Sequence, residues 1–131
     1  MFLGEYPALL DEKRRLYLPK KIRLQLGNNN VVLTRGFENC IFGWCFDDWE
    51  KSNKTYLEKP ITDPEARNIR RYLFSGASVC EIDRLGRTIL PDHLAKHCNI
   101  LTEVMLIGAG DHFEIWNKNH WQEYLEYLER E

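Results

Sequence analysis

The chain has 131 residues, 44% of them hydrophobic, which is enough apolar material for one packed unit and argues against disorder. A net charge of −2 and a pI near 6.1 weigh mildly against nucleic acid as a partner, so the distribution of charge matters more than its sum. No apolar run reaches membrane-spanning length, and MFLGEYPALLDEKRR lacks the basic and long apolar regions of a signal peptide, so a cytoplasmic protein without a membrane partner is expected.

Ala8–Leu10 predicts a short strand that enters a charged turn, Asp11–Arg15, and Leu16–Leu18 predicts a second strand. Pro19 suits the first position of a helix, where a missing N–H costs nothing. Pro19, Ile22 and Leu26 then form one apolar helical stripe. Asn28-Asn29-Asn30 is a turn signal. Val31–Thr34 and Cys40–Trp44, separated by RGFEN, predict a β-hairpin. Trp49, Asn53, Tyr56 and Leu57 follow helical spacing, and Asp47-Asp48-Trp49-Glu50 reads as that helix's capped N-terminus rather than a carboxylate site. In TDPEARNIRRYLFSGA, Asp63 is a good N-cap and Pro64 a good first helical residue. Ala66, Ile69 and Leu73 form its buried stripe, with Arg67, Arg70 and Arg71 on another face.

The same order then recurs. Val79–Ile82, the turn Asp83–Arg87, Thr88–Leu90, the stripe Pro91, Leu94 and Cys98, and the hairpin strands Glu103–Ile107 and Phe113–Trp116 repeat the first half. Trp121, Tyr124, Leu125 and Leu128 give the last helix an apolar face. Sliding the chain by 72 positions without a gap aligns residues 2–51 with residues 74–123. It pairs Phe2/Phe74, Gly4/Gly76, Asp11/Asp83, Arg15/Arg87, Leu18/Leu90, Pro19/Pro91, Val32/Val104, Gly36/Gly108, Trp44/Trp116 and Trp49/Trp121. Leu33/Met105 is among the conservative pairs. This is an internal duplication. About 50 residues of short strands bury too little surface to stand alone, so the copies are expected to share one core about an approximate two-fold axis. The expected fold is α+β, with residues 1–60 as the first half, 61–73 as a connecting helix and 74–131 as the second half of one compact unit.

Sharper chemistry finds little support. Cys40, Cys45, Cys80 and Cys98 show no CxxC pairing and are expected to be reduced. The odd spacing of Cys40 and Cys45 faces them oppositely in a strand. His93 and His97 have a zinc-compatible spacing, but Cys98 beside them belongs to the core stripe, so no metal and no cofactor are assigned. The tryptophans suit packing better than base stacking. No phosphate loop or nucleophile elbow is present, and no catalytic residues are assigned.

The N-terminal MFLGEY, the pair DEKRRLYLP and DRLGRTILP, the helix RNIRRYLFSGAS and the hairpin EVMLIGAGDHFEIW together resemble the MraZ family. That resemblance covers nearly the whole chain. It implies two AbrB/SpoVT-like swapped-hairpin motifs with flanking helices. It also implies a sequence-specific, double-stranded-DNA-binding transcriptional regulator, associated with the nucleoid and assembled into homo-oligomeric rings, an octamer being one such ring. The implied targets are short tandem repeats upstream of its own operon, the division and cell-wall gene cluster. The DNA-contacting motif of the family falls on Asp11–Arg15 and Asp83–Arg87. The family pattern places Gly before the motif arginine, as in Gly86-Arg87, whereas the first copy has Arg14-Arg15. If the turn needs a positive φ, Arg14 costs on the order of 1 kcal/mol; otherwise the turn differs.

Asp11 and Asp83 are expected to hold their turns and to orient Arg15 and Arg87, whose guanidinium groups suit phosphate or guanine. Lys13, Arg14, Arg15, Lys20, Lys21 and Arg23 make the first copy the basic one, against Arg84 and Arg87 in the second. Arg15→Ala is therefore expected to cost more than Arg87→Ala. Glu123, Glu126, Glu129 and Glu131 supply offsetting charge. The competing role is a protein-interaction module, an antitoxin or a structural ring. The chain ends in a helical segment with no long tail to wrap a toxin, which counts against the antitoxin.

Overall fold

Alternating burial along EYPAL builds β1 (Glu5–Leu9), and a charged turn leads into β2 (Arg15–Tyr17). The computed structural model describes residues 1–130, so the expectation placed on Glu131 lies outside the described residues. α1 (Lys20–Leu26) follows, then the hairpin of β3 (Asn30–Arg35) and β4 (Cys40–Trp44), then α2 (Phe46–Glu58). α3 (Pro64–Gly76) joins the halves. The second half gives β5 (Ser78–Glu81), β6 (Arg87–Ile89), α4 (Asp92–His97), β7 (Glu103–Gly108), β8 (Phe113–Asn117) and α5 (Lys118–Glu129). Among the described residues no helix is long and apolar enough to cross a membrane.

Helix starts follow local chemistry, with two corrections to expectation. Pro19 and Pro91 sit one position earlier than expected, as N-caps. Their carbonyls accept the first helical bonds, from Arg23 N at 3.0 Å and Ala95 N at 3.1 Å. Asp47 and Asp48 do not cap α2. Cys45 takes that place, and the two carboxylates stand in the first turn, where the helix dipole favours them. At the matching place in the second copy Asn117 does cap α5, accepting from Asn119 N and His120 N. Asp63 caps α3 through Ala66 N at 3.2 Å.

All strand pairing is antiparallel. Six strands form one sheet in the order β1-β7-β8-β4-β3-β5, and β2 pairs with β6 in a separate ribbon. Among the described strands the two hairpins pair within a copy, beside an isolated bridge between Leu10 and Leu16, whereas β1–β7, β3–β5, β4–β8 and β2–β6 all cross between copies. The registers mark the symmetry axis. Phe42 faces Glu114 and Leu16 faces Thr88, and each of these is a residue opposite its own counterpart 72 positions on.

The ungapped alignment is wrong in one place. Val31 and Leu33 share a core cluster with Val104 and Leu106, whereas Val32 belongs to the cluster on the other face. The offset in β3 and β7 is therefore 73, as for Val31 and Val104. One extra residue precedes β7, and its hairpin turn is one residue shorter, which restores the offset of 72 at Trp44 and Trp116. The identities Val32/Val104 and Gly36/Gly108 and the pair Leu33/Met105 are thus not structural equivalents. Phe2 and Phe74 also differ, since Phe2 packs on Phe113 in the core and Phe74 packs on Trp49. A one-residue slip would turn every β3 side chain to the wrong face, so burial overrides sequence identity.

Two cores flank the sheet. Leu16, Leu18, Ile22 and Leu26 meet Leu90, Leu94, Phe113 and Ile115 on the face covered by the β2–β6 ribbon, α1 and α4. Trp44, Trp116, Trp121 and Leu73 pack on the other face with residues of α2, α3 and α5. Gly43 lies where a Cβ would meet the Phe113 ring at 2.3 Å, so its lack of a side chain gives that ring its place. Cys40 and Cys45 belong to opposite clusters, as their spacing predicts. Burial pushes the Cys98 thiol up to about 12 and the Cys40 thiol up as well. Leu57 and Leu128, expected on apolar stripes, are about half exposed. His93 and His97 point to the carbonyls of Gly76 at 3.0 Å and Glu38 at 3.3 Å.

Candidate nucleic-acid interface

The two Asp-x-x-x-Arg segments fold alike. Asp11 Oδ1 accepts from Lys13 N at 2.9 Å and Arg15 N at 2.8 Å, and its Oδ2 accepts from Arg15 Nε at 2.7 Å. Asp83 does the same with Leu85 N at 3.0 Å, Arg87 N at 2.8 Å and Arg87 Nε at 2.9 Å. Each carboxylate thus closes its turn and fixes the arginine through Nε. Among the described residues no hydrogen bond engages the Nη nitrogens of Arg15 or Arg87. Those nitrogens are the edge of the fork that meets a phosphate or guanine.

Both turns need a left-handed residue before the arginine. Gly86 has φ +86° and Arg14 has φ +64°, so Arg14 carries the backbone cost that Gly86 avoids.

The turns open onto the same ribbon. Arg15 lies opposite Ile89, and Tyr17 opposite Arg87. Leu16 and Thr88 point inward and are buried. Alternation therefore leaves Arg15, Tyr17, Arg87 and Ile89 on the outer face. Along the strands the two arginines stand two residues apart, roughly 7 Å. Tyr17 and Ile89, both largely exposed, were missed from sequence; the period of two within RLY and RTI carried that signal.

A family model described as "MraZ protein, putative antitoxin-like" matches residues 1–72 and again residues 73–131. The chain belongs to the MraZ family. It is 38% identical over 126 residues to a protein of Heliobacterium modesticaldum named transcriptional regulator MraZ, with 96% of this chain and 87% of that one covered. A protein of the same name from Caldicellulosiruptor bescii is 39% identical over 121 residues, covering 92% and 84%. One from Caldanaerobacter subterraneus subsp. tengcongensis is 38% identical over 124 residues, covering 95% and 86%.

The basic residues of this MraZ-family chain do not form one patch. Lys13, Lys20, Lys21 and Arg84 are exposed. Arg14 Nε lies against the Asp92 carboxylate of the other copy. Arg23 donates to Leu18 O at 2.9 Å and Tyr17 Oη at 2.7 Å, and its guanidinium covers the Tyr17 ring. It also lies over Gly86, where a Cβ would meet Arg23 Cζ at 2.8 Å. Lys20 and Arg23, numbered with the first copy, therefore flank the second turn, while Asp92 of the second copy flanks the first. Lys21 lines a separate hollow with Met1, Leu3 and Tyr6. The charge contrast expected between the copies is crossed over in space.

Both motif carboxyls are held below the usual aspartate range. The backbone N–H of Arg15 is the main cause for Asp11, and that of Arg87 for Asp83; desolvation opposes it and the guanidinium adds to it. A depressed folded value means that the turns contribute stability above the unfolded pKa and lose it as pH falls through the folded one. In a carbon-13 carboxyl titration, Asp11 and Asp83 should titrate below the ordinary aspartate range. Asp11→Asn should remove the Asp11 signal without moving that of Asp83. Titration at or above the ordinary aspartate range would mean that the turn hydrogen bonds are absent in solution.

Proposed function

We propose that the chain is a DNA-binding transcriptional regulator and not an enzyme, and that its β2–β6 ribbon enters the major groove of double-stranded DNA. The observation that carries this is the outer face of the ribbon, with two arginines held by their aspartates through Nε and, among the described residues, no hydrogen bond to their Nη nitrogens. A two-stranded ribbon fits that groove, and bidentate arginine is the commonest specific contact to guanine. Tyr17 and Ile89 between the arginines suit apolar contact with thymine methyls. In this reading the exposed Lys13, Lys20, Lys21 and Arg84 serve as phosphate contacts, Lys21 from a separate hollow, whereas Arg14 and Arg23 act mainly through their internal partners. The naming of the relatives as transcriptional regulators supports this role.

The crossed pairing of β1 with β7 and of β5 with β3 fits a pair of AbrB-like swapped-hairpin halves, residues 1–60 and 74–131, joined by the segment 61–73. One short ribbon makes few contacts, so a ring of subunits facing tandem repeats would raise the effective concentration of each next ribbon. The proposed targets are repeats upstream of its own gene, in the division and cell-wall cluster, reached in the cytoplasm at the nucleoid. The test is a gel shift with that upstream duplex against a scrambled competitor, with native mass spectrometry for subunit number. A preferential shift by a multi-subunit species is expected, weakening steeply with salt. Equal affinity for both duplexes would contradict sequence reading and favour a protein-binding role.

A further inference from the structure

A hollow of about 430 Å³ lies where α1 meets the second motif turn. Lys20, Arg23, Asn28, Asn29, Asp83 and Arg84 line it. Both oxygens of Asp83, the acid in this wall, are occupied by donors of its own turn. The Asn28 Oδ1 accepts from Asn30 N at 3.0 Å, which leaves its amide NH₂ as a donor. Arg23 is fixed over Gly86 by Tyr17 and Leu18.

The symmetry-related place is built differently. Residues 83–87 with Lys20 and Arg23 hold four bases, Lys20, Arg23, Arg84 and Arg87, against the single acid Asp83. Their counterparts, residues 11–15 with Asp92 and Ala95, hold three bases against three acids, Asp11, Glu12 and Asp92. At the position of Lys20 stands Asp92, which pairs with Arg14. At the position of Arg23 stands Ala95, with no charge to offer.

We infer that the hollow is a seat for one backbone phosphate of the bound duplex, and that it exists on the second-turn side only. The occupant is DNA rather than a free phosphate because the wall is continuous with the turn that holds out Arg87 at the groove-facing ribbon. A nearly two-fold ribbon would otherwise lie on a duplex in either direction. A phosphate seat at one end gives each subunit a polarity along the DNA, so repeats read by successive subunits must point the same way. This inference rests on the DNA-binding role proposed above and adds to it a direction and a second contact class.

The test uses the full chain and a fluorescent duplex of the sequence upstream of its gene, with affinity followed by anisotropy across a KCl series. Lys20→Ala and Arg84→Ala should each weaken binding and flatten the logarithmic salt slope, by about 0.9 in all for the one phosphate they share, while the preference over scrambled duplex persists. Arg71→Ala on α3 should leave the slope unchanged. Duplexes with neutral methylphosphonates on one flank or the other of a repeat should lose affinity on one flank only, and Lys20→Ala should remove that difference. If both flanks respond equally, or if neither variant changes the slope, the one-sided seat is overturned. If Arg87→Ala still abolishes discrimination in that case, DNA reading by the ribbon stands without the seat. A wild-type chain that does not prefer the duplex would overturn both.

Discussion

Replacing Arg15 and Arg87 together by alanine should abolish preference for the upstream duplex while leaving the fold intact. Each arginine offers a free guanidinium edge, and a good bidentate pair contributes about 1–3 kcal/mol of discrimination. One loss corresponds to roughly 5- to 150-fold, and two within one groove to roughly 30-fold or more, with coupling expected between such near neighbours. Neither side chain belongs to a core cluster, so the melting temperature should move little. The single variants are informative because of how charge is arranged. Lys20 and Arg23 flank the turn of Arg87, and Asp92 neutralises Arg14 beside Arg15. Arg87→Ala is therefore expected to cost at least as much as Arg15→Ala, the reverse of what charge counted along the sequence implies. Wild-type affinity in the double variant, with an unchanged circular dichroism spectrum, would remove the ribbon from the interface.

Phe113→Ala should be the most damaging single truncation for stability. The ring is fully buried, packs on Phe2 at 5.4 Å between centroids and occupies the space left by Gly43 in the neighbouring strand. Phe-to-Ala changes at such sites cost about 3–5 kcal/mol, a large share of the roughly 5–15 kcal/mol typical of a whole domain. Phe113 sits at the junction of β8 with β4, where the two copies meet, so the cavity weakens both halves at once. A urea titration should show a single earlier transition. A loss below about 1 kcal/mol would mean that the ring does not fill the shared core.

What could be read from the sequence was what depends on local chemistry or on repetition. Asp63-Pro64 marks a helix start by capping alone. The doubled Asp-x-x-x-Arg-x-x-Leu-Pro pattern located both turns, and the need for a shared core followed from the small size of each copy. Compensating shifts were not visible. An ungapped slide cannot register one residue gained before β7 and one lost after it, and chance identities such as Val32/Val104 reinforced the wrong register. Spatial neighbours across the axis were also hidden. That Asp92 meets Arg14, and that Lys20 lies beside Arg84, depends on β2 pairing with β6, which no spacing within one copy encodes. His112 meets Asp111 and Glu114 of its own segment, and its stacking on Trp44 of the other half depends on the pairing of β4 with β8.

Whether the ribbon is the surface that meets DNA can be measured by chemical footprinting of arginines. The chain is treated with phenylglyoxal, free and saturated with the upstream duplex, and modification is read by mass spectrometry at each arginine. Arg15 and Arg87 should both be protected by that duplex and much less by a scrambled one, while Arg67 and Arg71 on α3 react equally in all samples. Unchanged reactivity at Arg15 and Arg87 in a saturated complex, with protection moving to α3, would contradict the ribbon as the DNA-reading surface.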